Sequence, residues 1–272
     1  MKSNCFFTRL CVLVLLFAGS AYSFAGIEAD SIRPLTKVNK EFLIVAHIMM
    51  SHDSVPVVTT AEINNTIASV NTIFLPIGVS FKVCEFRYIY NYQYDTIRTS
   101  NGVRGHYEEE LAAKYSVQNR LNMFFGSAVK VDTSSYCGFA SLGGVTSHNP
   151  YVGAWIGCVT ASTIAHELGH YFSLQHTFAN HGTELVNGSN CSTAGDNICD
   201  TPADPFIDGV ALTNYISPSC VFISEEKDAN GDYYDPDVSN IMSYYTPCRC
   251  LKFSHDQYET MAEYYLSNPF VW

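Results

Sequence analysis

The sequence predicts an α+β / α/β fold: a twisted, mostly parallel sheet with a histidine-bearing helix, then an irregular lobe held by disulfides. Three observations carry that prediction. Up to residue 173 the patterns run strand, helix, strand, strand, strand, helix, a succession that packs helices onto a sheet. From Thr177 to Pro236 the chain becomes rich in Gly, Asn, Asp, Ser and Pro and loses periodicity. Cys191, Cys199, Cys220, Cys248 and Cys250 fall in or just after that stretch, where so long an irregular segment needs stapling.

Each element has its own signal. Residues 1–25 read as a secretory signal peptide: Lys2 and Arg9 give a basic start, Cys11–Ala18 an apolar run, and Ala21-Tyr22-Ser23 or Ser23-Phe24-Ala25 a small-residue cleavage site. That run is too short to anchor the chain in a bilayer, and no later stretch is long and apolar enough. Residues 26–40 form a polar lead. Phe42–Met49 is apolar on both faces, as a buried central strand requires. Thr59 with Glu62 makes a capping box, and Ile63, Ile67, Val70 and Phe74 give helical spacing. Pro76 and Gly78 end that helix, and Val79–Tyr90 alternates as a strand. Tyr92–Val117 reads as loop with a short helix around Glu108–Tyr115. Leu121–Phe125 and Tyr151–Cys158 read as short strands joined by a Gly/Ser-rich loop, before a helix from Thr160 to Ser173. Ser254 with Gln257 caps a last helix, with Tyr258, Met261 and Tyr265 on its apolar side.

Charge and cysteine content narrow the partners. Without residues 1–25 the chain keeps 13 Lys and Arg against 26 Asp and Glu. A chain this acidic with no basic run argues against nucleic acid and anionic membranes. Cys5 and Cys11 leave with the signal, and an even set of eight remains: the five above with Cys84, Cys137 and Cys158. In an exported chain that set reads as disulfides.

The chemistry concentrates in residues 166–176, His-Glu-Leu-Gly-His-Tyr-Phe-Ser-Leu-Gln-His. His166 and His170 are four apart, so on a helix they share one face and can share one zinc ion. His176 joins them only if the chain turns sharply after Phe172. Three neutral nitrogen ligands leave a fourth zinc position open to water, the mark of a catalytic site. Glu167 stands beside them to accept a proton. His47, His52, His106, His148, His181 and His255 show no metal spacing. Three Asn-x-Ser/Thr sites, at Asn64, Asn187 and Asn190, matter only in a host that glycosylates.

Further runs extend this motif. His176 continues into Thr177-Phe178; Gly195-Asp196-Asn197-Ile198-Cys199-Asp200-Thr201-Pro202 follows, then Asn240-Ile241-Met242-Ser243-Tyr244 and Phe253-Ser254-His255-Asp256-Gln257. Upstream stand Phe42–Phe81 and Gly138-Phe139-Ala140. In this order they resemble the metzincin metalloproteases, and among them the pappalysin (cytophagalysin-like) family, over residues 41–265. The resemblance implies a catalytic domain over residues 41–272, with an upper lobe over 41–176 and a lower lobe over 177–272. It implies a secreted zinc endopeptidase acting on protein or peptide substrates, with Glu167 as general base toward a zinc-activated water. Met242 is then the hydrophobic base of a Met-turn, and Tyr244 donates a hydrogen bond to the oxyanion. Asp196, Asp200 and Thr201 belong to a segment that binds calcium in some relatives. The same resemblance pairs Cys191 with Cys220 and Cys199 with Cys248 or Cys250, with Cys137–Cys158 a local candidate.

One departure stands out: Ser173 occupies a position where metzincins usually carry Gly. It supports an alternative, a catalytically silent binding module on the same fold. Finally, the segment Tyr245–Arg249 is expected to line the pocket for the residue after the scissile bond. With Arg249 there and no acid between Met242 and Asp256, apolar or acidic residues are expected after the cut, and Arg and Lys disfavoured.

Overall fold

A computed structural model describes residues 33–99, 107–131, 134–147, 153–249 and 252–268. Strand β1 (Lys40–Met49) lies second in a five-stranded sheet ordered β2-β1-β4-β8-β7. Its neighbours β2 (Val79–Ile89) and β4 (Leu121–Phe125) run parallel to it, as β8 (Ala154–Ile156) does to β4. Only β7 (Gly138–Ala140) is antiparallel, and it forms the far edge. The sheet is therefore mostly parallel.

Helices α1 (Thr60–Phe74), α3 (Ala161–Tyr171) and α4 (His255–Leu266) contribute Ile63, Val70, Ile164, Leu168, Met261 and others to one core with the strands. Thr59 and Glu62 form the capping box of α1, and Ser254 and Gln257 that of α4. A second core of Met49, Leu111, Phe124 and Trp155 includes α2 (Tyr107–Tyr115).

Two stretches differ from the sequence reading. Residues expected as loop hold a second sheet of β3 (Thr96–Thr99), β5 (Ala128–Val131) and β6 (Ser134–Tyr136). These strands are three or four residues long, and β3 pairs with a segment distant in sequence, Thr96 opposite Ala128. So short a strand gives little period-2 signal. Tyr151 and Val152, expected at the start of β8, lie outside the described residues, as do residues 1–32 with the expected signal peptide.

Between Thr177 and Phe253 the described chain holds one three-residue helical turn and isolated bridges such as Ile216–Phe222. Its small core is Phe206, Tyr215, Ile216 and Tyr245. Disulfides supplement it, with a connectivity that corrects the expected one. Cys137 joins Cys158, but Cys191 bonds Cys199 and Cys220 bonds Cys248. The reason is local: hydrogen-bonded turns at Gly188–Cys191, Asn190–Thr193 and Ala194–Asn197 fold the chain back on itself. They bring the Cα atoms of Cys191 and Cys199 to 5.0 Å. Cys220 is thereby left to reach the segment after Met242 and tie the irregular lobe to it. Cys84 is an exposed free thiol, against the expectation of a fully paired set, and Cys250 lies outside the described residues.

Candidate active site

Helix α3 presents the site. Thr160 caps its start by accepting the Thr163 N–H at 3.1 Å. Ile164, Ala165 and Leu168 are fully buried in the core, while His166, Glu167 and His170 line a cleft cavity of about 390 Å³. The helix ends in a tight turn. Ser173 N–H bonds to His170 C=O at 2.8 Å, and Leu174 N–H to Gly169 C=O at 2.9 Å. These are the paired bonds of a Schellman motif, whose outer residue must be left-handed. Ser173 takes that role with a φ of 79°. The chain thereby reverses and brings His176 back to the helix.

The Nε2 atoms of the three histidines converge. His166 and His170 are 3.2 Å apart there, His166 and His176 3.2 Å, and His170 and His176 3.0 Å. The other ring nitrogens decide what this means. His166 Nδ1 lies 2.7 Å from the Ile241 carbonyl and His170 Nδ1 2.7 Å from the Leu174 carbonyl. A carbonyl only accepts, so each Nδ1 carries the proton and each Nε2 an exposed lone pair. Two lone pairs facing at 3.2 Å repel unless a cation lies between them. Burial lowers all three pKa values, that of His170 to about 4, so the rings are neutral as metal ligation requires. The donor set fits a zinc ion, with the outer nitrogens of His166 and His170 fixed by backbone carbonyls.

Glu167 is 5% exposed and sits under β7: a Cβ at Gly138 would fall 2.5 Å from its carboxylate oxygen. Burial pushes its carboxyl up to about 8, opposed by the charge of Arg249. Below the histidines, Met242 is fully buried, and a Cβ at Gly169 would fall 2.5 Å from its Sδ. Helix α3 and the turn at Met242 therefore touch at a point where only glycine fits. Ile241 and Met242 are held in turn by Asn240, whose side chain accepts the Met242 N–H and pairs with Gln257 of α4. Tyr244 packs edge-on to His176, ring centres 4.6 Å apart, and lines the same cavity. Burial first, then Glu167 and Asp208, raises its phenol above the usual value, so it stays a hydrogen-bond donor.

Two residues at the site, Asp204 and Glu184, carried no sequence signal. Asp204, buried at 5% exposure, accepts from Thr177 Oγ1 at 2.6 Å, Tyr245 hydroxyl at 2.7 Å and Phe206 N–H at 3.0 Å. It clamps the segment after His176 to the Met-turn. Glu184, also buried at 5%, faces Asp196; burial and the nearby Asp196 and Asp204 carboxylates push it up to about 7, and burial does the same to Asp196. Gln257 was legible only as a cap. Of the expected calcium residues, Asp196 and Thr201 are together, the Thr201 hydroxyl 2.9 Å from Asp196. Asp200 is engaged at the start of α4, its oxygens accepting from Ser254 Oγ at 2.6 Å and Asp256 N–H at 2.8 Å.

Known proteins match both halves of the site. The family model described as pregnancy-associated plasma protein-A, a peptidase family numbered M43, matches residues 143–265. That of the reprolysin-like metallopeptidases of family M12B matches residues 60–177. An extracellular metalloprotease of Colletotrichum graminicola is 28% identical over 180 residues, 58% of this chain and 55% of the relative. The chain thus spans about half the length of that curated relative. In fold it is similar to mature mirolysin of Tannerella forsythia, solved in complex with a cleaved peptide. The TM-score is 0.51 at 15% identity, over 85% of this chain and 92% of that one.

Proposed function

Since this chain is a metzincin-type metalloprotease, we propose that it is a secreted zinc endopeptidase that hydrolyses peptide bonds of protein substrates with Glu167 as its proton carrier. The convergence of three neutral imidazole lone pairs on one point supports the reading most. A zinc ion held there supplies a Lewis acid that polarises the scissile carbonyl and lowers the pKa of water. The chain does the rest. Glu167, next to the first histidine, accepts the proton of the attacking water and returns it to the leaving nitrogen. The Tyr244 phenol donates a hydrogen bond to the oxygen on which negative charge develops. Edge strand β7 walls the cleft above Glu167 and keeps the carboxylate from bulk water.

Secretion is supported by the basic-then-apolar residues 1–25 and by the disulfides, which persist in oxidising compartments. No helix among the described residues is long and apolar enough to cross a membrane. Calcium completes the proposal: Glu184 and Asp196 are both buried and each carboxylate is raised by burial, Glu184 also by the Asp196 charge, and a hard cation wants clustered oxygens. The silent-module alternative rests on Ser173; the turn forms with Ser173 in place, and no other residue of the site argues for it.

Metal analysis with casein cleavage tests the reading. The purified protein is expected to hold one zinc and cleave casein. Glu167→Gln should keep the zinc and lose about 10²–10⁴-fold in turnover, while His176→Ala should lose the zinc. Full turnover in Glu167→Gln would overturn the mechanism, and a zinc-loaded wild type without peptidase activity would favour the silent module.

A further inference from the structure

A second cavity of about 280 Å³ opens on the other side of Glu167. It is lined by Thr163, Glu167, Phe206, Leu212, Thr246 and Arg249. Thr163 lies one turn before Glu167 on α3, whereas His170, Gln175 and Leu142 line the first cavity. The two cavities therefore flank the proton carrier. Glu167 delivers its proton to the leaving nitrogen, so the residue bearing that nitrogen lies beside Glu167 on the side away from His170 and His176, while His166 and Tyr244 border both cavities. Its side chain has the second cavity to enter.

The wall of that cavity carries a cation without a counter-ion. Arg249 is half-buried; one Nη donates to the Ile241 carbonyl at 3.1 Å, and its Nε is buried with no partner. Among the described residues no carboxylate lies within salt-bridge distance of it. Asp208 shares the cavity, but its two oxygens are engaged, one by the Tyr136 hydroxyl at 2.8 Å and one by the Gly209 N–H at 2.9 Å. Glu167 is the acid whose field Arg249 feels most, and its carboxylate is committed to the proton transfer. A guanidinium remains charged whatever its surroundings and offers a planar fork matched to a carboxylate.

We propose that Arg249 makes this cavity a carboxylate-recognition pocket, so that cleavage is directed to bonds followed by a residue presenting a carboxylate, as an Asp or Glu side chain or as a free C-terminus. This rests on Glu167 as proton carrier, which fixes the side of the cleft. The incoming carboxylate supplies the partner that the fold withholds from Arg249. A Lys or Arg in the same place meets an unscreened like charge.

Two measurements test the pocket separately from the proteolysis. The first uses peptides identical except for Glu, Gln, Leu or Lys after the cut, all amidated. A matched pair ends one residue after the cut as free acid or amide. In the zinc-loaded wild type, Glu should exceed Gln by about 10- to 100-fold in kcat/KM, with Lys lowest. A preference for free acid over amide with no Glu preference would assign the pocket to C-termini. In Arg249→Gln either ratio should fall to near one, and Arg249→Lys, which keeps the charge, should retain part of it. The second measurement is fluorescence anisotropy of labelled Glu, Gln, free-acid and amide peptides on zinc-loaded Glu167→Gln, which reads the pocket without turnover. Cleavage and binding that ignore the carboxylate in both sources, with the Leu peptide cleaved normally, would overturn the pocket and leave the protease standing. Carboxylate-selective binding without cleavage by the wild type would do the reverse.

Discussion

Ser173 holds the turn that carries His176, and its backbone sets a magnitude. At φ 79° an L-residue brings its Cβ close to the neighbouring carbonyl, at a cost of about 1–2 kcal/mol. Replacing it by glycine removes that strain but adds conformational freedom to the unfolded chain, worth about 0.5–1 kcal/mol against folding. The net gain expected for Ser173→Gly is about 0.5–1 kcal/mol. For a domain of this size each kcal/mol shifts Tm by about 2–4 °C, so a rise of about 1–4 °C should appear by calorimetry on the zinc-free protein. Ser173→Ala is the control: it keeps the Cβ and the strain and should leave Tm within a degree or so of wild type. Activity in both variants should stay near wild type, because the Schellman bonds come from backbone groups. A Ser173→Gly protein less stable than wild type would refute the strain argument. A large gain in activity would mean instead that serine distorts the zinc ligands.

Other substitutions probe the supports of the site. Gly169→Ala would press a Cβ to 2.5 Å from Met242 Sδ; about 1–3 kcal/mol of destabilisation and weaker zinc retention under a chelator are expected, and unchanged values on both would mean that Met242 moves freely. Asp204→Ala strands the Thr177 and Tyr245 hydroxyls and the Phe206 N–H, at about 1–3 kcal/mol for each buried group left unsatisfied. Denaturant unfolding should fall by more than one such increment. Calcium at a hundredfold excess over its Kd should raise Tm by about 5–10 °C and leave Glu184→Gln unmoved; the same rise in both would remove Glu184 from the cation site.

Much of this architecture is written in short-range patterns. Strand β1 announces itself because it is central and its side chains are buried along most of its length, and α1 and α4 because their capping boxes need residues three apart. Two of the three histidines, His166 and His170, are legible for the same reason, since a four-residue interval on a helix fixes their geometry. What escaped depends on contacts between distant residues. Strand β3 exists by pairing with β5 across the whole of α2 and β4. Glu184 and Asp204 are single acids in an acidic, irregular stretch. Only folding shows that they are buried and Asp208 exposed. Cys137 pairs with Cys158 as expected, whereas Cys191 and Cys199 depart from the implied pairings for a related cause: loop turns, not separation in sequence, decide which thiols meet.

The irregular lobe therefore poses a physical question: how a segment with so little regular structure holds a ligand in register with a helix. Hydrogen bonds to buried carboxylate and amide groups answer it. Asp204 reaches the ligand segment through Thr177 and the Met-turn through Tyr245, while the Thr177 N–H bonds the Met242 carbonyl at 3.3 Å. Asn240 and Gln257 couple the same turn to α4, and the Ile241 carbonyl receives the His166 imidazole. Each of these is a single-residue pin, and in a buried setting each is strong only while its partners are satisfied. Removing one pin leaves its partners without acceptors, so the loss is not confined to that contact. A zinc ion held by these histidines would join α3 to the segment after the turn, because His176 comes from beyond Ser173. Metal removal should therefore loosen the lobe from residue 177 onward before it unfolds the sheet, and hydrogen exchange of the chelated protein should show protection lost first at Thr177, Met242 and Tyr245, with β1 and β4 unchanged. Uniform loss across sheet and lobe would mean that the pins contribute nothing separable from the core.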